Sequence, residues 1–159
     1  MASVRFRQAE PSDAQALWWT KHAAIDSIET DEYSADQLRA WKPDGEAVTD
    51  FQRAIESKTF DAVLAEVDDD TVGYGVLNTE DGRIDAVFVH PDSTGQGIAT
   101  SLVRQLETRA QMYGIEELTI VSSLNAKSFY EQVGYHDAGS KQRTIDEETL
   151  EFAVMQKQL

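Results

Sequence analysis

Cysteine is absent from this chain of 159 residues. That excludes a disulfide framework, a thiolate zinc site and a cysteine nucleophile. Long apolar runs are missing too, and no stretch approaches the roughly 18 residues of a membrane span. The opening Met1-Ala2-Ser3-Val4-Arg5 lacks the apolar centre of a secretory signal. These absences predict a soluble, cytoplasmic protein. Positive charge is scarce, with 14 Lys and Arg against 29 Asp and Glu, a net charge of −15. Nucleic-acid binding needs a basic face to neutralise phosphates and is disfavoured. The acids are dispersed and 41% of residues are hydrophobic, so an acidic disordered chain is disfavoured as well. Dispersed carboxylates suit a salt-adapted proteome, because near 1 M salt the Debye length shrinks to about 3 Å and self-repulsion is screened. The length predicts one domain, residues 1–159, able to bury a core without disulfides or metal.

What the chain does contain is concentrated between residues 87 and 103. Val87-Phe88-Val89 reads as a β-branched and aromatic strand, followed by the polar turn His90-Pro91-Asp92-Ser93. Thr94-Gly95-Gln96-Gly97 then opens the apolar-periodic helix Ile98-Ala99-Thr100-Ser101-Leu102-Val103. A glycine loop between a strand and a helix N-terminus is an anion site. Unpaired N–H groups point outward, the helix dipole favours negative charge, and glycine permits close approach. The ligand is therefore expected to carry phosphates. A nucleotide P-loop would need Lys then Ser or Thr after the second glycine, where this chain has Ile98-Ala99. A dinucleotide fingerprint would need Gly or Ala at Thr100 and an acid where Val121-Ser122-Ser123 stands.

Elsewhere, Val4-Arg5-Phe6-Arg7 alternates as a first strand, and Pro11-Ser12-Asp13 supplies a cap for a helix to about Ile28. Further helices are predicted over 34–41 and 49–57. Strands follow at 60–67 and 71–78, joined across Asp68-Asp69-Asp70, and at 83–89 after Glu80-Asp81-Gly82. The helix after the glycine loop runs to about Tyr113, where Gly114 ends it. A nearly uniform apolar strand at 118–121 precedes a helix over 125–133, and strands at 135–144 and 150–157 close the chain.

Two motifs together carry a resemblance. Thr94-Gly95-Gln96-Gly97-Ile98-Ala99 resembles motif A of the GNAT superfamily of acyl-CoA-dependent N-acyltransferases, Arg/Gln-x-x-Gly-x-Gly/Ala. Thr94 replaces the leading Arg or Gln, which removes a long side chain and leaves the backbone cradle intact. Ser123-Leu124-Asn125-Ala126-Lys127-Ser128-Phe129-Tyr130-Glu131-Gln132-Val133-Gly134-Tyr135 resembles motif B, Asn-x-x-Ala/Ser-x-x-Phe/Tyr-Tyr-x-x-x-Gly-Phe/Tyr. The resemblance implies an α/β (α+β) fold. It has a central mixed, mostly antiparallel sheet of six to seven strands flanked by helices, with the fourth and fifth strands splayed. It also implies acetyl transfer from acetyl-CoA to a primary amine of a small molecule by direct attack, with no metal. The alternatives are a protein N-terminal or lysine acetyltransferase and a non-catalytic acyl-CoA sensor. Dimers are common in the family, although this sequence shows no interface.

Acetyl transfer to an amine requires a coenzyme anchor, a polarised carbonyl, a deprotonated amine and a proton for the leaving thiolate. The anchor falls to the N–H groups from Thr94 through Gly95, Gln96, Gly97, Ile98 and Ala99 to Thr100. By resemblance, backbone groups near Phe88 and Val89 pair with the pantetheine arm, the Val89 N–H polarises the thioester, and Asn125 and Ser128 contact the coenzyme. The resemblance also implies Tyr130 as general acid, a role its chemistry permits because a phenol with a reference pKa near 10 is protonated at neutral pH. Its bland alternative is a core tyrosine. Asp85, a carboxylate on the strand face of Val87 and Val89, is a candidate base or else a paired strand acid. Histidine's reference pKa would suit a base, but His90 precedes Pro91 in a turn that, by the same resemblance, is structural. Acceptor recognition is expected among Trp18, Trp19, Tyr33 and Trp41 with Asp26, Glu29, Asp31 and Glu32. That set suits a cationic amine, or else is simply core and acidic surface. Lys127 and Arg104 are candidates for a coenzyme phosphate.

Overall fold

A computed structural model describes residues 3–159. Its elements are β1 (Arg5–Gln8), α1 (Ala14–Asp26), α2 (Ala35–Trp41), α3 (Ala47–Glu56), β2 (Phe60–Val67), β3 (Asp70–Asn78) and β4 (Arg83–Val89). They continue with α4 (Ile98–Met112), β5 (Glu117–Ser123), α5 (Lys127–Gln132), β6 (His136–Ile145) and β7 (Glu148–Gln158). The strands form one seven-stranded sheet in the order β1-β2-β3-β4-β5-β7-β6. Every pairing is antiparallel except β4 with β5, which is parallel. The expected mixed, mostly antiparallel sheet is what forms.

Helices cover both faces. Ile98, Leu102, Val103, Leu106 and Ala110 of α4 are buried in one cluster with Val63, Ile84, Leu118 and Ile120 of the sheet. They recur every three or four residues, so one stripe of the helix lies on the strands. The helix sits close because β3 carries Gly73 and Gly75 beneath it. A Cβ on Gly75 would lie 2.8 Å from Leu106 Cδ1. On the opposite face, Leu17 of α1 and Phe51 and Ile55 of α3 pack on Leu64 and Tyr74. Nearby, Tyr33, Leu38 and Trp41 pack on Leu150 and Phe152 of β7.

Local structure departs from the sequence reading in three places. Asp13 does not cap α1; its carboxylate binds Arg7 at 2.9 Å and accepts the Glu10 N–H at 2.8 Å. The motif B helix is only six residues long, preceded by a 3₁₀ turn over Leu124–Ala126, and Asn125 caps neither segment. Strands β6 and β7 are joined by a two-residue turn, Asp146-Glu147, with φ of +49° and +70°. No glycine announces that turn, so the strands run further than alternation alone suggests.

Candidate active site

The parallel β4–β5 pairing is short. Arg83 pairs with Thr119 and Ile84 with Ile120, and there the register stops. Beyond it the strands diverge and leave a narrow fissure of about 90 Å³. The fourth strand is also irregular. On its other side, Val76 pairs with Ala86 but Leu77 pairs with Ile84, so Asp85 is an inserted residue, a β-bulge. Ile84, Val87 and Val89 consequently pack on the α4 side, while Ala86 and Phe88 pack on the α1 side. The bulge therefore breaks the simple alternation that would have put Asp85 on the face of Val87 and Val89.

Register also decides which β4 amides face the fissure. His90 N–H donates to Val72 O at 2.8 Å, towards β3. In an antiparallel ladder the next pair, Val89 with Gly73, turns its groups outward. The N–H of Val89, and that of Val87 two residues earlier, thus point towards the departed β5. Phe88 turns its backbone to β3 and offers only its ring to the fissure.

At the end of β4 the chain passes through the 3₁₀ turn Pro91–Ser93, capped by His90 Nδ1 accepting the Asp92 N–H at 3.2 Å. The imidazole thus serves the turn. Thr94 Oγ1 donates to Pro91 O at 3.1 Å. Gly95 and Gly97 both take φ +77°, a left-handed conformation that β-carbon-bearing residues resist. No atom lies within 4 Å of where their β-carbons would be, so conformation and open space, not crowding, call for glycine. Gly97 is the N-cap of α4 with no side-chain cap, and Ser101 is the first residue to bond back to it, at 3.1 Å. The N–H groups of Ile98, Ala99 and Thr100 lack helical partners. They border a hollow of about 220 Å³ lined also by Val89, Thr94, Gly95, Gly97 and Phe129.

Tyr130 of α5 is 6% exposed and lines the fissure. Burial alone drives its phenol far above the usual range, so it stays protonated at neutral pH. Asp85 lines the fissure too, bonded to Arg83 Nε at 2.5 Å. Tyr130, Asp85 and Phe88 are therefore gathered at the fissure, with Val89 and most of the glycine loop at the adjoining hollow. Gln96, Asn125 and Ser128 are exposed and line neither. Lys127 is held by Asp137 at 2.7 Å, while Arg104 is exposed.

The expected acceptor residues separate. Trp41 lines the fissure. Tyr33 is buried and structural: its hydroxyl donates to Glu151 O and accepts the Leu124 N–H at 3.0 Å. Trp18 bonds Asp44 O, and Trp19 is 54% exposed. Asp26 pairs with Lys42 at 2.9 Å; Glu29, Asp31 and Glu32 are exposed and line no part of the fissure. The lining residues that were not anticipated include Lys21, Arg143 and Phe152. Lys21 had a sequence sign, since it lies midway between buried Leu17 and Ile25 on the inward stripe of α1. Its ammonium is lowered by burial first and by the charge of Arg143 second.

The same fold is found in known proteins. The family model "Acetyltransferase (GNAT) domain" matches residues 29–159. The chain belongs to the GNAT acetyltransferases. A GCN5-related N-acetyltransferase from Rhodopseudomonas palustris superposes with a TM-score of 0.91 at 28% identity, over 100% of this chain and 98% of that one. The N-acetyltransferase YafP of Escherichia coli is 26% identical over 146 residues, 92% of this chain and 89% of its own. YncA from Salmonella typhimurium, solved with acetyl-CoA, shares the fold at 18% identity and a TM-score of 0.72, over 99% and 94% of the two chains. As a GNAT member the chain is an acyltransferase.

Proposed function

We propose that this acetyltransferase moves an acetyl group from acetyl-CoA to a primary amine of a small molecule by direct attack. The observation that carries the reading is the alignment of two sets of uncommitted N–H groups. One set opens α4, and the other faces the fissure from β4. The first set, from Gly95 to Thr100, would receive the coenzyme diphosphate with help from the helix dipole. The outward amides of Val87 and Val89 would pair with the pantetheine arm as a strand would, filling the place that β5 vacates. The Val89 N–H would then polarise the thioester carbonyl.

The amine nitrogen attacks that carbonyl carbon, a C–N bond forms, and the C–S bond breaks. Tyr130 gives its phenolic proton to the departing thiolate. The surplus ammonium proton passes to water or to Asp85, which faces the fissure while held by Arg83. The phenolate regains a proton from solvent. With no cysteine in the chain, a cysteine-linked acyl-enzyme is excluded. Acetyl-CoA binding by calorimetry, followed by CoA release over an amine panel, tests the reading. It fails if acetyl-CoA does not bind, or if Gly97→Val leaves its affinity unchanged.

A further inference from the structure

The far end of the fissure holds positive charge without a counter-ion. Lys21 comes from α1 and Arg143 from β6, and both line the same cavity. Lys21 Nζ lies 5.7 Å from the centre of the Phe88 ring, and the Arg143 guanidinium 5.5 Å from that of Phe152. Trp41 stands between those rings, at 6.0 Å and 5.6 Å. Among the described residues neither cation forms an ion pair, and Asp85, the one carboxylate lining the cavity, is bonded to Arg83. This occurs in a chain with 29 acids to 14 bases, where carboxylate partners are abundant.

Cation–π contacts seat each charge individually but leave the two charges repelling each other across the cavity. The lowered Lys21 ammonium, whose second cause is the Arg143 charge, registers that repulsion. A bound anion would relieve it. A cationic amine alone would worsen it, which disfavours the acid-lined acceptor site expected from the sequence. We propose that Lys21 and Arg143 form an anion-recognition site, and that the amine acetylated here also carries a carboxylate or phosphonate group. This rests on the acetyl-CoA reading above and adds the substrate class to it. The amine would lie towards Tyr130 and the anion towards the two cations, with Trp41 and Phe152 flanking the carbon skeleton.

The test uses matched acceptors. Phenylalanine, its decarboxylated counterpart phenethylamine and its α-aminophosphonate analogue are compared, with parallel sets built on alanine and glutamate. CoA release is followed at saturating acetyl-CoA. The anion-bearing members should show kcat/KM at least about tenfold above the decarboxylated amines, mostly through KM. Lys21→Met and Arg143→Gln should each draw that ratio towards one, and Arg143→Lys should retain part of it. Arg143 lies on an exposed strand, and thermal melting confirms that the variants fold. Carboxylate or phosphonate arms leading separately identify which anion is used. Equal or faster turnover of the decarboxylated amines, or an unchanged ratio in both variants, overturns the proposal. If no acceptor turns over, calorimetry on the CoA-loaded protein compares N-acetylphenylalanine with N-acetylphenethylamine; equal affinity overturns it. Failure of acetyl-CoA itself to bind overturns instead the coenzyme reading.

Discussion

At the α4 end of the fork the site is made of main chain; at the α1 and β6 end it is made of side chains. The first consists of two left-handed glycines, the uncommitted N–H groups of α4 and the outward amides of β4. The second draws Lys21, Trp41, Phe88, Arg143 and Phe152 from five separate elements. Amides are the same whatever residue bears them, so the first end constrains backbone conformation and suits a ligand common to many relatives. Side chains can be exchanged without disturbing the ladder, so on the proposed reading the second end is where acceptor choice can diverge. Tyr130 lines the fissure together with Asp85 and Phe88.

The largest effect should come from Tyr130. Tyr130→Phe is expected to lower kcat by about 100-fold with acetyl-CoA affinity little changed. An undiminished kcat would return Tyr130 to the core. Next, Gly97→Val should weaken acetyl-CoA binding about 30-fold by calorimetry, because valine is forced to φ +77° or the loop must move. Thr94→Ala, a side-chain change in the same loop, should shift it less than about threefold. A larger loss for Thr94 than for Gly97 would break the main-chain description of that end.

Acid stability separates both ends from the scaffold. Arg7 lies between Asp13 and Glu66, at 2.9 Å and 2.7 Å, and its hydrogen bonds hold the Asp13 carboxyl below the usual range. A carboxyl with a lowered folded pKa stabilises the fold above its ordinary value near 4 and loses that contribution as pH falls through the folded value. Melting temperature should therefore drop below about pH 4, and Asp13→Asn should flatten that decline. Beneath the acceptor end, Tyr74 is fully buried with its hydroxyl unpartnered, 5.8 Å from Phe88 between ring centres. Tyr74→Phe should stabilise the protein by about 1 kcal/mol in denaturant titration, by removing a desolvated polar group. The smallest effect is expected at Glu147→Gly, where relief of the left-handed turn outweighs added unfolded-state entropy by about 0.5 kcal/mol.

The glycine loop was legible in the sequence because positive φ makes a chemical demand that glycine meets. The strand order of hydrophobics, the α4 stripe and Gly114 at φ +79° were legible for similar reasons of local stereochemistry. The bulge at Asp85 was not, since the inserted residue is neither glycine nor otherwise marked. The Asp146-Glu147 turn escaped for the same reason. The acceptor end was largely illegible because its parts meet only through tertiary packing. Lys21 left a trace, a charge on an apolar stripe, whereas Arg143 on the outermost strand left none.

Asp85 also makes the opening a matter of counting. Were the chain one residue shorter between Ile84 and Ala86, β4 would regain strict two-residue periodicity, and its free edge could zip onto Val121, Ser122 and Ser123. The slot would then narrow while Tyr130, Phe88 and the glycine loop stayed in the chain. The width of the slot is thus tied to the length of one strand, where a single inserted or deleted codon acts as a gatekeeper.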